Sequence, residues 1–226
     1  MNATVIKVGG SIALHPEKLR ALCTKISEES KKHRLIVVPG GGEFADTVRT
    51  LDKQFSLSCI VSHKMAVLGM DQYGLMLSDL IPNSVTVSKL EEVKYFLDKS
   101  KLPIFLPSNL VLSEDPLENS WEVTSDSIAV YLAHRMQVHK VLLVTDVDGV
   151  YNEDPKTKPD SKLITKLSVS ELLALKMRTS VDKALPRLLL KLPVDCFVVN
   201  GLFPERVEAV LDGQDAVYTL IKSDLL

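Results

Sequence analysis

Residues 5–11 read VIKVGGS, a short β-branched run that contains one lysine and ends in two glycines. A second run of the same kind, LIVVPGGG at residues 35–42, ends in a proline and three glycines. Glycine has no Cβ, so the backbone amides of such a turn can approach an anion closely, and Lys7 adds a positive charge. Because neighbouring parallel strands end at the same edge of a sheet, the two turns predict an anion-binding site at that edge.

Both glycine turns also have a purely structural interpretation. Each could be a plain strand-to-helix turn, with Lys7 on the surface. Three consecutive glycines at residues 40–42 are more than a turn needs and cost backbone entropy, which favours a ligand-binding role. Neither turn contains G-x-x-x-x-G-K-[ST] or G-x-G-x-x-G, which disfavours a P-loop and a dinucleotide site for redox chemistry.

The composition is typical of an ordinary globular protein. The chain has 226 residues, 46% of them hydrophobic and 25% charged, and a formal net charge of −2. We therefore expect a single domain over residues 1–226 that does not bind nucleic acid. No apolar run approaches the roughly 18 residues of a membrane span and the first strand leaves no room for a signal peptide, so we expect a cytoplasmic protein that does not bind membranes. No metal-ligand spacing is present, and Cys23, Cys59 and Cys196 are predicted to be reduced core residues.

Short apolar runs alternate with stretches of helical period, which predicts βαβ units around a largely parallel sheet. The runs are residues 4–8, 35–38, 102–106, 141–145, 196–199 and 216–221. Pro16 is expected to open the first helix, a longer helix is expected over about residues 62–80, and Ser168 with Glu171 forms a capping-box pattern. Residues 108–120 are expected to form a surface loop or a short hairpin.

Three further stretches contain residues that could carry chemistry. VLLVTDVDGVYNEDP at residues 141–155 runs from an apolar strand into an acidic turn, which could be a solvated loop or a magnesium site, but not an EF-hand. Asp126 in TSDSIA begins a helix, where it or Ser125 could act only as the cap. Lys183 in SVDKALP lies near another helix start, where a lysine usually lies on a solvated face.

Taken in order, five motifs resemble those of the amino acid kinase superfamily: residues 7–11, 39–42, 124–129, 145–151 and the Asn-Gly pair at 200–201. The resemblance covers essentially the whole chain. It implies a three-layer αβα sandwich around a central, mainly parallel, eight-stranded sheet. It also implies a phosphotransferase that uses ATP and Mg²⁺, with an acceptor-binding lobe at about residues 1–135 and a nucleotide-binding lobe at about 136–226. A homodimer or a higher homo-oligomer is a further implication.

The resemblance assigns roles to particular residues. Lys7, Asp126 and Lys183 would be catalytic, with Lys7 against the transferring phosphoryl group and Asp126 orienting the lysines. The residues implied to bind the nucleotide and its phosphates are Gly9, Gly10, Ser11, Thr145, Asp146, Asp148, Gly149, Val150, Tyr151 and Asp154. The residues considered for acceptor binding are Gly40, Gly41, Gly42, Arg49, His63 and Lys64.

The sequence departs from the family pattern at two places. MRTSVDKALP at residues 177–186 stands where many members carry Gly-Gly-Met before a second catalytic lysine, and residues 217–219 read Val-Tyr-Thr where many carry Gly-Thr. These departures leave open a nucleotide-binding or storage module that has lost catalysis.

The middle of the chain bears on the acceptor. SHKMAVLGMDQYGLMLSDL at residues 62–80 resembles most a small archaeal group of aspartokinase-like kinases that includes a kinase of methanofuran biosynthesis. That resemblance implies an anionic small-molecule acceptor, an aminomethyl-furanylmethyl phosphate that is converted to its diphosphate, whose amine could pair with Asp71 or Glu43. The alternatives are a carboxylate such as acetylglutamate, isopentenyl phosphate and a nucleoside monophosphate.

Overall fold

The computed structural model describes residues 1–153, 157–158, 160–175 and 180–225. Its strands are β1 (Thr4–Val8), β2 (Leu35–Pro39), β3 (Ser84–Val87), β4 (Leu102–Phe105), β5 (Lys140–Thr145), β6 (Val150–Tyr151), β7 (Leu163–Ile164), β8 (Lys166–Ser168), β9 (Asp195–Asn200) and β10 (Tyr218–Lys222). Its helices are α1 (Pro16–Glu29), α2 (Gly42–Phe55), α3 (Cys59–Leu80), α4 (Leu90–Asp98), α5 (Ser108–Glu114), α6 (Ser125–Arg135), α7 (Val169–Ala174), α8 (Leu185–Leu189) and α9 (Pro204–Asp212). A 3-10 helix spans Gly10–Leu14.

Eight of these strands form one sheet, in the order β3-β4-β2-β1-β5-β9-β10-β8. The pairings from β3 across to β9 are parallel, whereas β10 runs antiparallel to β9 and pairs in parallel with β8. Strands β6 and β7 form a separate antiparallel pair. The predicted mainly parallel eight-stranded sheet is confirmed, with β1 in its interior between β2 and β5.

Helices cover both faces of this sheet, because successive side chains of a buried strand point to opposite sides. On β1, Val5 packs in one core cluster with α6, while Ile6 and Val8 pack in a second cluster with α1 and α9. The long helix α3 contributes to both clusters, and α2 packs against α3. The predicted three-layer αβα arrangement is confirmed.

Local sequence signals explain where several helices begin. Pro16 occupies the first turn of α1, where its missing N–H leaves no helical bond unmade. The predicted capping box before α7 is present, with Ser168 and Glu171 each accepting the other's backbone N–H. Helix α6 is capped by the Thr124 side chain, and not by Ser125 or Asp126, which the sequence left open as an alternative to a role in the site.

Two local predictions were wrong. Residues 108–114 form a helix, not a loop or hairpin, since the Asp71 carboxylate on α3 accepts the backbone N–H of Ser108 at 3.1 Å and also its hydroxyl. Cys59 is exposed at the first position of α3 instead of lying in the core. Cys23 and Cys196 are buried as predicted, and burial raises the pKa of the Cys23 thiol to about 12.

Among the described residues, no helix is both long enough and apolar enough to cross a membrane.

Candidate active site

The two glycine turns lie against each other at the carboxyl edge of the sheet. The Gly9 N–H donates to the Val144 carbonyl at 2.7 Å and the Gly40 N–H donates to the Val8 carbonyl at 2.8 Å, so each turn is fixed to the neighbouring strand. A Cβ on Gly10 would lie 2.2 Å from both the Cα and the amide nitrogen of Gly42, closer than any real contact. Glycine is therefore required at residue 10 for the two turns to meet.

Lys7 and Asp126 form a nearly buried ion pair beside these turns. Lys7 lies on β1 with its side chain on the α6 side of the sheet, and its Nζ is 2.8 Å from Asp126 Oδ1 in the first turn of α6. The two side chains are only 9% and 10% exposed. A Cβ on Gly9 would be 3.5 Å from Lys7 Nζ, so the ammonium lies next to the first glycine turn. Little water screens this charge, which strengthens its interaction with an incoming anion.

Asp182, which we did not single out from the sequence, holds Asp126 in place. Its backbone N–H donates to Asp126 Oδ2 at 3.2 Å. Its carboxylate accepts the N–H and hydroxyl groups of Thr124 and Ser127 and the N–H of Leu185, over 2.6–3.0 Å. Burial, and then the Asp126 charge, raise the pKa of Asp182 above its ordinary value. The signal available in the sequence was its position next to Lys183, but Thr124, Asp126 and Ser127 lie over 50 residues away along the chain.

Lys183 lies at the surface and not against Asp126. Its ammonium is 3.5 Å from Glu122 Oε1 and its side chain is 74% exposed. Arg187 shares the same carboxylate at 2.7 Å. The role of second catalytic lysine stays a prediction for Lys183, and it would require the side chain to turn inward.

The predicted nucleotide-binding residues after β5 are connected to the first glycine turn. The Ser11 hydroxyl donates to Asp146 Oδ1 at 2.8 Å, and the Thr145 hydroxyl donates to the same oxygen at 3.2 Å. Asp148 is paired differently, with Asn200 Nδ2 at 2.8 Å and Arg206 Nη1 at 2.6 Å. Asp146 and Asp148 therefore have separate partners, and Asp148 is already neutralised by a cation.

The turn after these carboxylates is fixed by β10. The Val150 N–H donates to the Thr219 hydroxyl at 2.8 Å. Gly149 has a φ of +151°, and a Cβ there would lie 2.3 Å from Thr219 Oγ1, so a side chain would clash. Burial raises the pKa of the neighbouring Tyr151. Thr219 thus links the Gly149–Tyr151 turn to β10, and the predicted residue Asp154 lies outside the described residues.

A cavity of about 310 Å³ opens beside Lys7 and the glycine turns. Its lining includes Gly9, Gly10, Ser11, Gly41, Gly42, Arg49, His63 and Trp121. Gly40 and Lys64 are not among the lining residues, and Lys64 is exposed on α3. This volume is at the lower end of the range, about 300–1,000 Å³, that is usual for small-molecule sites.

Charged groups of both signs surround this cavity. Arg49 Nη1 is 2.7 Å from Asp46 Oδ1, and Glu43 also belongs to the lining. His63 is only 6% exposed, and burial lowers its pKa, so it enters the cavity as a neutral imidazole near pH 7. Asp71, considered for an amine, instead binds Ser108. The site can therefore hold an anion next to Lys7 and a cation near Glu43 or Asp46.

Comparison with known proteins gives a consistent family. Residues 2–188 match the sequence pattern described as the amino acid kinase family. The [5-(aminomethyl)furan-3-yl]methyl phosphate kinase of Methanocaldococcus jannaschii is 36% identical over 217 residues, which are 96% of this chain and 96% of that protein. The uridylate kinase of Methanosarcina barkeri is 26% identical over 94% of this chain and 92% of its own.

Solved structures share the fold at low sequence identity. The uridylate kinase of Archaeoglobus fulgidus superimposes with a TM-score of 0.76 at 19% identity, over 97% of this chain and 99% of its own. The UMP kinase of Ureaplasma parvum gives a TM-score of 0.79 at 20% identity, over 98% of both chains. At this identity the likeness concerns the fold alone.

Proposed function

The chain belongs to the amino acid kinase family, and from this premise we propose that it transfers the γ-phosphoryl group of ATP to the phosphate of [5-(aminomethyl)furan-3-yl]methyl phosphate, which gives the diphosphate. The family predicted from the sequence motifs is confirmed, and with it the prediction that the chain is a phosphotransferase. The acceptor follows the relative that is 36% identical over nearly the whole of both chains. The observation that carries the proposal is the buried Lys7–Asp126 pair beside two facing glycine turns.

The proposed reaction needs positioning and positive charge more than proton transfer. An oxygen of the acceptor phosphate attacks the γ-phosphorus, the bond from that phosphorus to the β,γ-bridging oxygen breaks, and ADP leaves with the bond's electron pair. The attacking oxygen is already anionic near pH 7, so no general base is required. Lys7 and the amides of Gly10 and Gly42 would stabilise the charge that spreads over the transferring oxygens.

We propose that Mg²⁺ enters with ATP and is held mainly by phosphate oxygens, as is usual for this ion. It would neutralise charge on the β- and γ-phosphates when bound. Asp146 is the carboxylate at this edge that could contact it, because Asp148 is already engaged by Arg206 and Asn200. The roles of the glycine turns, Asp126 and the 145–151 turn remain part of the same proposal.

The proposed acceptor can be tested by measuring ADP release with a panel of candidate acceptors. We expect release with the aminomethylfuran phosphate and a diphosphate product in ³¹P spectra. The comparison acceptors are UMP, isopentenyl phosphate and acetylglutamate. Turnover of UMP but not of the furan phosphate would replace our proposal with the second candidate, a uridylate kinase, which several relatives support. ATP binding without turnover of any acceptor would indicate a non-catalytic module.

We further propose that the protein is a homodimer that associates through α3. Ile60, Val61, Leu68 and Leu75 on this helix have exposed fractions of 44% to 54%. Exposed apolar side chains repeated along one long helix are typical of an association surface. We also propose that the protein acts in the cytoplasm, which fits the free state of its three cysteines.

A further inference from the structure

Trp121 is the only tryptophan of the chain, and it borders the cavity next to Lys7. It lies in the segment between α5 and α6 and contacts α2. The mechanism proposed above does not use it. Its indole ring, however, is held by polar contacts with α2.

Three residues of α2 fix the plane of the indole ring. The Trp121 Nε1–H donates to Asp52 Oδ2 at 2.7 Å, which fixes the rotation of the ring. The Arg49 guanidinium lies 4.8 Å from the ring centroid, in cation–π range. Arg49 is in turn held by Asp46 at 2.7 Å. Residues 46, 49 and 52 are spaced three apart, so they share one face of α2 and act on Trp121 as a group.

The cavity therefore combines a fixed planar wall with cations. The Arg49 guanidinium lies over the Trp121 ring within the cavity lining, a contact called here the Arg49–Trp121 stack, and a further flat group can pack against it. The same cavity is lined by the apolar side chains of Val67, Met70 and Ile128. Lys7 and Arg49 supply the positive charge that a phosphate requires.

We infer that Trp121 is a specificity-determining residue, and that the acceptor is a phosphate monoester carrying a flat ring that packs against the Arg49–Trp121 stack. This inference rests on the proposed function and deepens it, because it says which residues would bind the ring of the acceptor. A furan phosphate and a nucleoside monophosphate both have this chemistry, whereas isopentenyl phosphate has the phosphate without the ring. The experiment below distinguishes these sources.

The first measurement uses the single tryptophan as a reporter. The unmodified protein is titrated with the aminomethylfuran phosphate, with UMP and with isopentenyl phosphate, while Trp121 emission is recorded. We expect a saturable emission change with a flat-ring phosphate and a much smaller change with isopentenyl phosphate at matched saturation. Equal responses to all three, or none with an acceptor that is turned over, would overturn the inference.

The second measurement compares variants in steady-state kinetics with the flat-ring acceptor that binds. Trp121→Leu should raise the acceptor KM about tenfold and leave the ATP KM within twofold, and Trp121→Phe should restore most of the loss. Tyr95→Leu is the matched control, since it removes another cation–π contact, that of Tyr95 on α4 with the Lys99 ammonium at 4.2 Å, outside the cavity lining. A thermal melt of each variant reports folding. If Trp121→Leu does not fold, the acceptor KM of Trp121→Phe and the emission titration of the unmodified protein test the inference.

The outcomes separate the inference from the proposed function. If the furan phosphate changes Trp121 emission but yields no ADP, the proposed function fails and the inference stands. If the furan phosphate is turned over by both the unmodified protein and Trp121→Leu with the same acceptor KM, the inference fails and the function stands.

Discussion

Replacing Lys7 by methionine should separate the structural effect of the buried charge pair from its effect on catalysis. Methionine fills nearly the same space as lysine but carries no charge. In Lys7→Met, the partners that Asp126 would keep among the described residues are the Asp182 N–H and the amino end of α6. The double variant Lys7→Met/Asp126→Asn removes both charges together.

The expected magnitudes follow from burial. Breaking a buried ion pair by removing one partner costs about 3–5 kcal/mol, and we take about 3 kcal/mol because Asp126 keeps other partners. For a chain of this size that loss corresponds to a fall in Tm of about 6–12 °C. The double variant should recover most of that loss, since no unpaired charge remains. Both variants should lose about 10²–10³-fold in kcat, because neither has a cation beside the transferring phosphoryl group.

The assay combines urea unfolding with ADP release at saturating substrates. Lys25→Met is the matched control, because Lys25 lies at the same 2.8 Å from Glu208, but in a pair whose side chains are 25% and 31% exposed. We expect that variant to lose at most about 1 kcal/mol and no activity. The reasoning is refuted if Lys7→Met is as stable as Lys25→Met, or if the double variant regains turnover along with stability.

Four further predictions follow from individual contacts. Gly10→Ala should cut kcat more than about 100-fold, since its Cβ would displace Gly42, and unchanged turnover would show that the turns need not meet. Asp182→Asn should lower the unfolding free energy by about 1–3 kcal/mol. Because Asp182 positions Asp126, the same variant should also lower kcat with both KM values unchanged. An increase in the ATP KM alone would contradict this positioning role. Burial lowers the pKa of His63 below 6.5, so the folded state takes up this proton less readily than the unfolded state, and stability should fall as pH drops below about 6.5. This acid-side loss should be smaller in His63→Gln, and parallel unfolding-versus-pH curves would exclude His63 as its source. Leu68→Glu on α3 should convert a dimer to monomer in light scattering, and an unchanged mass would exclude α3 as the interface.

Several parts of the fold depend on contacts that no local pattern reveals. Helix α5 forms at residues 108–114 because Asp71, which is 37 residues earlier in the chain, binds its first residue. Strand β3, SVTV, was not among the predicted strands. Its short run is only half-buried, because it lies at an edge of the sheet. The strong local signals, by contrast, gave correct results: Pro16 opens α1 and Ser168 caps α7.

The residues of the candidate site also fall into two groups, those that local sequence indicates and those that only long-range contacts reveal. The sequence indicated Lys7, the glycine turns and Asp126, because charge and backbone freedom at strand ends and helix starts are visible in the residues themselves. It did not indicate Asp182 or Trp121, whose importance lies in partners that are distant along the chain. It also could not show that Lys183 pairs with Glu122 at the surface.

The sequence by itself determined the alternation of strands and helices, the family and the class of reaction, because apolar periodicity and glycine-rich turns are properties of neighbouring residues. Only the tertiary structure decided which charges meet. The parallel order β2-β1-β5 brings the two glycine turns and the 145–151 turn to one edge, and it aims Lys7 at Asp126 across 119 residues of chain. Strand order and side-chain direction depend on long-range packing, which a single sequence does not specify.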